Sequence, residues 1–192
     1  MKKYFLLSVI VTGLLFSCSN SKSKIKDPED IGKYVFELLK KINKTTKVEY
    51  LDKFIAPIEI IEIYAGGDID SIKNVIIEEE RMDLVEWEEG LTEALEKIRN
   101  KRNKIIEKDF NYLKGDAGKL GIVWEEIKYL DYTYEIKTEN YIYGERLSDK
   151  KVPKICVSKL YLKYKDIPFY VEIESLYVNN NYELYEIRGL YH

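Results

Sequence analysis

The sequence predicts an α+β fold: N-terminal helices packed on a curved C-terminal antiparallel four-stranded meander. Three observations carry this. From Pro28 to Asp109, apolar residues recur at spacings of three and four, the helical period. After Gly121 the period shortens to two, and Tyr, Ile and Val dominate, as in strands. The two patterns are segregated along the chain, which is the signature of α+β.

The first helix is expected over Asp30 to Lys44, with Ile31, Val35, Leu38, Leu39 and Ile42 on one face. Asp27 suits a cap and Pro28 the first helical position. Thr45-Thr46 ends that helix. A second stretch runs from Val48 to Ile55. Pro57 starts a third, with Ile58, Ile61 and either Ile60 or Tyr64 facing inward, and Gly66-Gly67 ends it. Ser71 restarts a helix with Ile72, Val75 and Ile76.

The longest helix is expected from Asp83 to Asp109. Leu84, Leu91, Ile98 and Ile105 fall seven apart, with Trp87 and Ala94 between them. This seam weakens at Lys101, so the last turns are expected to be exposed. Gly90 suggests a close approach, since glycine in a helix costs about 1 kcal/mol against alanine. Asp83, Glu86, Glu88 and Glu89 open the helix, and Arg99, Lys101, Arg102 and Lys104 come late, an order that complements the helix dipole. The basic end reads as a solvated face, with a docking patch as the alternative. Lys114 to Gly118 reads as a turn-rich link.

Four strand-like runs follow: Val123 to Thr138, Lys154 to Lys165, Phe169 to Val178 and Tyr182 to Leu190. Cys156, Ser158, Leu160, Leu162 and Tyr164 alternate with Lys159, Tyr161 and Lys163. Phe169, Val171 and Ile173 alternate with Glu172 and Glu174. This predicts an antiparallel sheet with one face covered. The apolar phase slips near Leu130-Asp131, which predicts a bulge. Lys165-Asp166 and Asn179 to Asn181 read as tight turns.

The first residues bear on location. Lys2 and Lys3 precede a 12-residue apolar run, Phe5 to Phe16. A bilayer core needs about 20 residues of helix, so the run fits the middle of a secretory signal. Leu15-Phe16-Ser17-Cys18 resembles the bacterial lipobox. The resemblance implies cleavage before Cys18 and lipid attachment at Cys18. It divides the chain into a signal peptide (1–17), a lipidated polar tether (18–27) and one domain (28–192), helical over 28–114 and sheet over 122–191. An ordinary secretory signal and an uncleaved anchor are the alternatives. Ser19, in place of Asp, favours the outer membrane where the organism has two.

Residues 1–17 hold two lysines and no acids, so the remainder carries 29 basic against 34 acidic residues. This acidic balance gives no reason to expect nucleic acid. With Cys18 lipidated, Cys156 has no intramolecular partner, and its setting between Ile155 and Val157 reads as a buried thiol.

Little recognisable chemistry is present. His192, the last residue, is the only histidine, which argues against a catalytic triad and against zinc. No cofactor is expected. Asp68-Ile69-Asp70 is a fragment of a calcium loop without the remaining ligand spacing. Gly115 and Gly118 lack the Lys-Ser/Thr of a phosphate loop. Asp131, beside the expected bulge and near Tyr129, Tyr132 and Tyr134, is the one carboxylate singled out as an acid–base candidate. The 17 tyrosines read chiefly as core and sheet surface, with a ligand cage as the alternative.

The pattern resembles the cone-shaped nuclear transport factor 2-like fold or its cystatin-like relatives. The features are Pro28 to Ile42 as opening helix, the strand beginning Trp124-Glu125-Glu126-Ile127, and the closing hairpin Phe169 to Ile187. That fold hosts enzymes and binders alike, so the resemblance transfers no functional residue. The expected function is a non-enzymatic, lipid-anchored extracytoplasmic binding or protein-interaction module. Alternatives are an isomerase or lyase using a carboxylate in the cone, and an inhibitor or immunity factor against an extracytoplasmic hydrolase.

Overall fold

The computed structural model describes residues 25–65, 69–70, 73, 77, 83–138, 141–142, 145–146 and 153–191. The helices are α1 (Pro28–Lys40), α2 (Lys47–Leu51), α3 (Pro57–Ala65) and α4 (Leu84–Lys119). A 3-10 turn, Trp124–Glu126, leads into β1 (Lys128–Thr138). A small hairpin, β2 (Tyr141–Ile142) and β3 (Glu145–Arg146), precedes β4 (Lys154–Tyr164), β5 (Ile167–Val178) and β6 (Asn181–Tyr191). The main sheet has the order β1-β4-β5-β6, is antiparallel throughout, and is curved and open. The α+β class read from sequence is therefore the fold of the chain.

Three register shifts curve the sheet, since each bulge adds local twist. One lies between Tyr129 and Asp131, where the slipped phase placed it. The other two lie between Tyr170 and Glu172 and between Glu174 and Ser175 in the β5–β6 pairing. Lys165, Asn179 and Asn180 take positive φ at the two hairpin turns. Asparagine tolerates that conformation better than most residues, which is why the second turn sits there.

Alternation sorts the side chains onto two faces. The inner face carries Cys156, Ser158, Leu160 and Leu162 of β4, Phe169, Val171 and Ile173 of β5, and Leu184 and Ile187 of β6, all buried. Against it pack Ile31, Val35, Leu39 and Ile42, Tyr50 and Phe54, and Ile106, Phe110, Leu113 and Ala117 of α4. The outer face is covered over one half only. There Ile55 and Ile60 pack on Ile155, Leu176, Val178 and Tyr185, with Ile63 and Ile98 beside them. The long helix thus meets the outer-face cluster through Ile98 and the inner core through its C-terminal half, passing along the edge strand β6.

The free edge of β6 is occupied by other backbone. Tyr182 N donates to Ile25 O at 2.7 Å and Ile55 N to Leu184 O at 2.7 Å. These pairings end α2 at Leu51, short of Ile55, because Phe54 bridges to Leu184 instead. The α2 start is a capping box in which Thr46 and Glu49 satisfy each other's backbone N–H.

Several expectations are corrected. α1 ends at Lys40, four residues early, in a turn through Lys44, and the Asp27 side chain makes no capping bond. α4 does not stop at Asp109: Leu113 and Ala117 continue its buried stripe, so residues 114–118 are helix, and the domain is helical to 119. The buried stripe is Arg102, Ile106, Phe110, Leu113 and Ala117. It is the first half of α4 that is exposed, with Leu84 at 48% and Val85 at 62%. A Cβ on Gly90 would meet nothing within 4 Å, so no close approach explains that glycine. Arg102 is no part of a solvated patch: its Nη2 donates to Leu51 O at 2.6 Å and Phe54 O at 3.1 Å, satisfying carbonyls where α2 ends. The run from Val123 begins as the 3-10 turn, not as strand. In α3 Ile60 is fully buried, while Ile58 and Ile61 are half-buried, and the Tyr64 side chain lies outside what is described. The glycine pair, Asp68, Ile72, Val75, Ile76 and His192 lie outside the described residues, as does Cys18.

Candidate functional site

Because α3 and α4 cover only the half of the outer face near the β5–β6 turn, the half near the β4–β5 turn is open among the described residues. Register fixes its rows. Lys128, Lys163 and Pro168 lie side by side across β1, β4 and β5. Next come Asp131, Tyr161, Tyr170 and Tyr191 across all four strands. Then come Thr133, Lys159, Glu172 and Arg188.

The middle row is an aromatic ladder. Tyr161 and Tyr170 have ring centroids 5.6 Å apart, and Tyr170 and Tyr191 stack at 5.0 Å with planes 21° apart. Such cross-strand pairs stabilise a sheet by about 0.2–1 kcal/mol each. Lys159 Nζ sits 4.7 Å from the Tyr170 ring centroid and 3.6 Å from Glu172 Oε1. Beside the ladder is a shallow groove of about 120 Å³, almost wholly apolar, walled by Leu130, Tyr161, Pro168, Tyr170 and Tyr191. Small-molecule pockets run to roughly 300–1,000 Å³, so this groove suits one side chain of a partner better than a whole ligand. Leu130 is 46% exposed at its mouth.

A charged cluster adjoins the ladder where α4 meets β6. Arg188 Nη2 donates to Glu186 Oε2 at 2.6 Å and lies 3.0 Å from Glu174 Oε1. These carboxylates keep the guanidinium firmly charged. Asp109 of α4 faces the same Glu186. Burial first, then the Glu186 charge, pushes its carboxyl up to about 7, against the smaller opposing pull of Arg188 and Lys108. Asp109 Oδ2 is buried with no hydrogen-bond partner among the described residues. When protonated, the Asp109 carboxyl can donate to the neighbouring Glu186 carboxylate. The Tyr50 hydroxyl, fully buried beneath, also lacks a partner among the described residues, and burial followed by the Asp109 charge raises it strongly.

The residue singled out by sequence is elsewhere. Asp131 is exposed on the outer face, where its Oδ1 accepts from Tyr132 N at 2.8 Å. Its aromatic neighbours lie on the inner face: Tyr132 turns over α1 and stacks on Tyr134, whose hydroxyl donates to Glu29 Oε1 at 2.5 Å. Cys156 is fully buried on the inner face, and burial pushes its thiol up to about 11, so it is a neutral core residue at physiological pH. Among the described residues, no group of three or more His, Cys, Asp or Glu is placed to hold a metal. Likewise no helix among them is long and apolar enough to cross a membrane.

The outward phase of Tyr161 was legible from strand alternation. Asp109 was not, because it fell at the expected end of α4 and only the continuation of that helix turns it toward β6. Glu186 and Arg188 lie within β6; nothing local in the sequence marks their meeting with Asp109. The chain matches no protein-family model, no characterised protein and no solved structure.

Proposed function

We propose that this chain is a lipid-anchored extracytoplasmic interaction module, held at a membrane through Cys18 and binding a partner protein through the open half of its outer face. The observation that supports the binding role is the contrast between the two faces. The inner face is filled by its own side chains, whereas among the described residues nothing covers the Tyr161–Tyr170–Tyr191 ladder and its groove. Tyrosine brings apolar area with a polar tip and is enriched at interfaces for that reason. The lipobox resemblance supports the anchor. Two or more acyl chains anchor stably where one is marginal, and anchoring raises effective concentration for partners at the same surface.

Metabolic labelling with a fatty-acid probe tests the anchor: label is expected on the parent chain and absent from Cys18→Ala, and label persisting in the variant refutes attachment there. Affinity capture from membranes tests the binding role, with Tyr161→Arg as the control. A partner recovered by the parent and lost in Tyr161→Arg is the expected result. No partner, together with a small molecule co-purifying with the chain, contradicts it.

A second reading is acid–base catalysis, and the observation favouring it is Asp109 with its carboxyl near 7. It replaces Asp131 as the carboxylate to examine. Any activity found in the purified chain should fall by a factor of about 100 or more in Asp109→Asn; an unchanged rate removes this reading.

A further inference from the structure

Lys128 and Lys163 face each other directly across β1 and β4 on the outer face. Like charges so placed destabilise a sheet pair. Among the described residues, neither lysine has a carboxylate within ion-pair distance, whereas Lys159 has Glu172 and Arg188 has Glu174 and Glu186. Asp131, in the neighbouring row, is bonded to Tyr132 N and pairs with neither. The two rows together carry an excess of positive charge beside an apolar groove.

We propose that the open half of the outer face docks an acidic segment of a partner protein. One apolar side chain of that segment seats in the groove beside Leu130 and Tyr161, and its flanking carboxylates meet Lys128 and Lys163. This rests on the interaction reading above and specifies the partner's chemistry.

Three observations favour this occupant over others. A sugar platform needs open aromatic faces, but Tyr191 and Lys159 cover the Tyr170 ring. The groove lining offers almost no polar atoms to hydroxyl groups. A membrane surface fits poorly as well. The described chain enters at Ile25, bonded to Tyr182. The ladder lies at the other end of the sheet, seven residues along β5 from the Tyr177–Tyr182 pair to the Tyr170–Tyr191 pair, or about 23 Å. Flat docking of the outer face is obstructed by the helical layer on its other half, about 10 Å thick.

The test uses the full-length chain in detergent micelles and fluorescein-labelled peptides read by anisotropy. One peptide has a central leucine flanked on both sides by glutamates. In the second the glutamates are glutamines, in the third lysines, and in the fourth serine replaces the leucine. The leucine–glutamate peptide is expected to bind tightest, and to weaken as salt is raised. Lys128→Gln and Lys163→Gln are each expected to weaken it about threefold, while leaving the glutamine peptide unchanged. Both lysines are on the surface, so both variants are expected to fold, which a thermal melt checks.

Equal binding of the glutamine and glutamate peptides, abolished by Tyr161→Arg, overturns the acidic-partner inference and leaves the interaction reading standing. Tighter binding of the lysine peptide also overturns it. Lysine-dependent binding to phosphatidylglycerol vesicles with no binding to any peptide overturns both.

Discussion

Gly32 has no room for a side chain. A Cβ there would lie 2.5 Å from Cδ2 and 2.6 Å from Cγ of Tyr132, so α1 rests directly on the ring. Forcing atoms into such a contact costs about 1–3 kcal/mol. Gly32→Ala should therefore lower stability by about 2 kcal/mol, read as a lower urea midpoint at unchanged slope. An unchanged midpoint would show that Tyr132 yields freely. Asp109 makes a prediction of a different kind. Its folded carboxyl, near 7, lies above the ordinary 3.8. Below about pH 4 both folded and unfolded chains hold the proton. As pH rises from 4 to 7 the unfolded chain releases it first, so this residue's contribution to stability drains away over that window and is flat above it. Asp109→Asn should match the parent near pH 3.5 and exceed it at pH 8. A parent-minus-variant difference that does not change between those two values contradicts the raised carboxyl. Glu29, Glu49 and Asp116, which are lowered, slope the other way and cancel in the comparison.

At the scale of elements, α4 separates what was legible from what was not. Its start was written in Asp83 and Glu86, which form a capping box. Its buried stripe was not, because heptad-spaced Leu84, Leu91 and Ile98 looked like a seam while the core is met later, at Ile106, Phe110 and Leu113. A period reports that a helix has an apolar face; it does not report where along the helix a partner lies. Leu113→Ala should cost about 3 kcal/mol, Leu84→Ala less than about 0.5 kcal/mol, and the two urea midpoints decide. Equal costs would restore the N-terminal seam. The strands were more legible, since alternation of period two carries both faces: Cys156 to Tyr164 fell on the core as read, and the phase slip at Leu130 marked the bulge. The 3-10 turn at Trp124 was hidden because Val-Trp and Ile favour strands locally, while Trp124 is buried against Phe169 with ring centroids 6.2 Å apart. The candidate site was half legible. Outward tyrosines follow from alternation, but the cluster of Asp109, Glu186 and Arg188 joins residues some 77 positions apart in sequence, a juxtaposition that no local pattern encodes.

The whole molecule joins these parts into a directional body. One sheet carries a packed inner face and an outer face divided between helices and an open aromatic half. β6 is sealed along its free edge by Ile25, Phe54 and Ile55, and the described residues begin at that end with Ile25. The tyrosine ladder lies at the opposite end, and the proposed lipid at Cys18 would leave that ladder facing away from the membrane. Photo-crosslinking in intact membranes tests this most directly. A photoreactive residue is placed at position 170 in the full-length chain, and at position 88 on the exposed start of α4 as the control. A discrete protein adduct is expected at 170, absent at 88 and diminished by Lys163→Glu. Adducts to lipid alone at 170, or the same adducts at both positions, would contradict it.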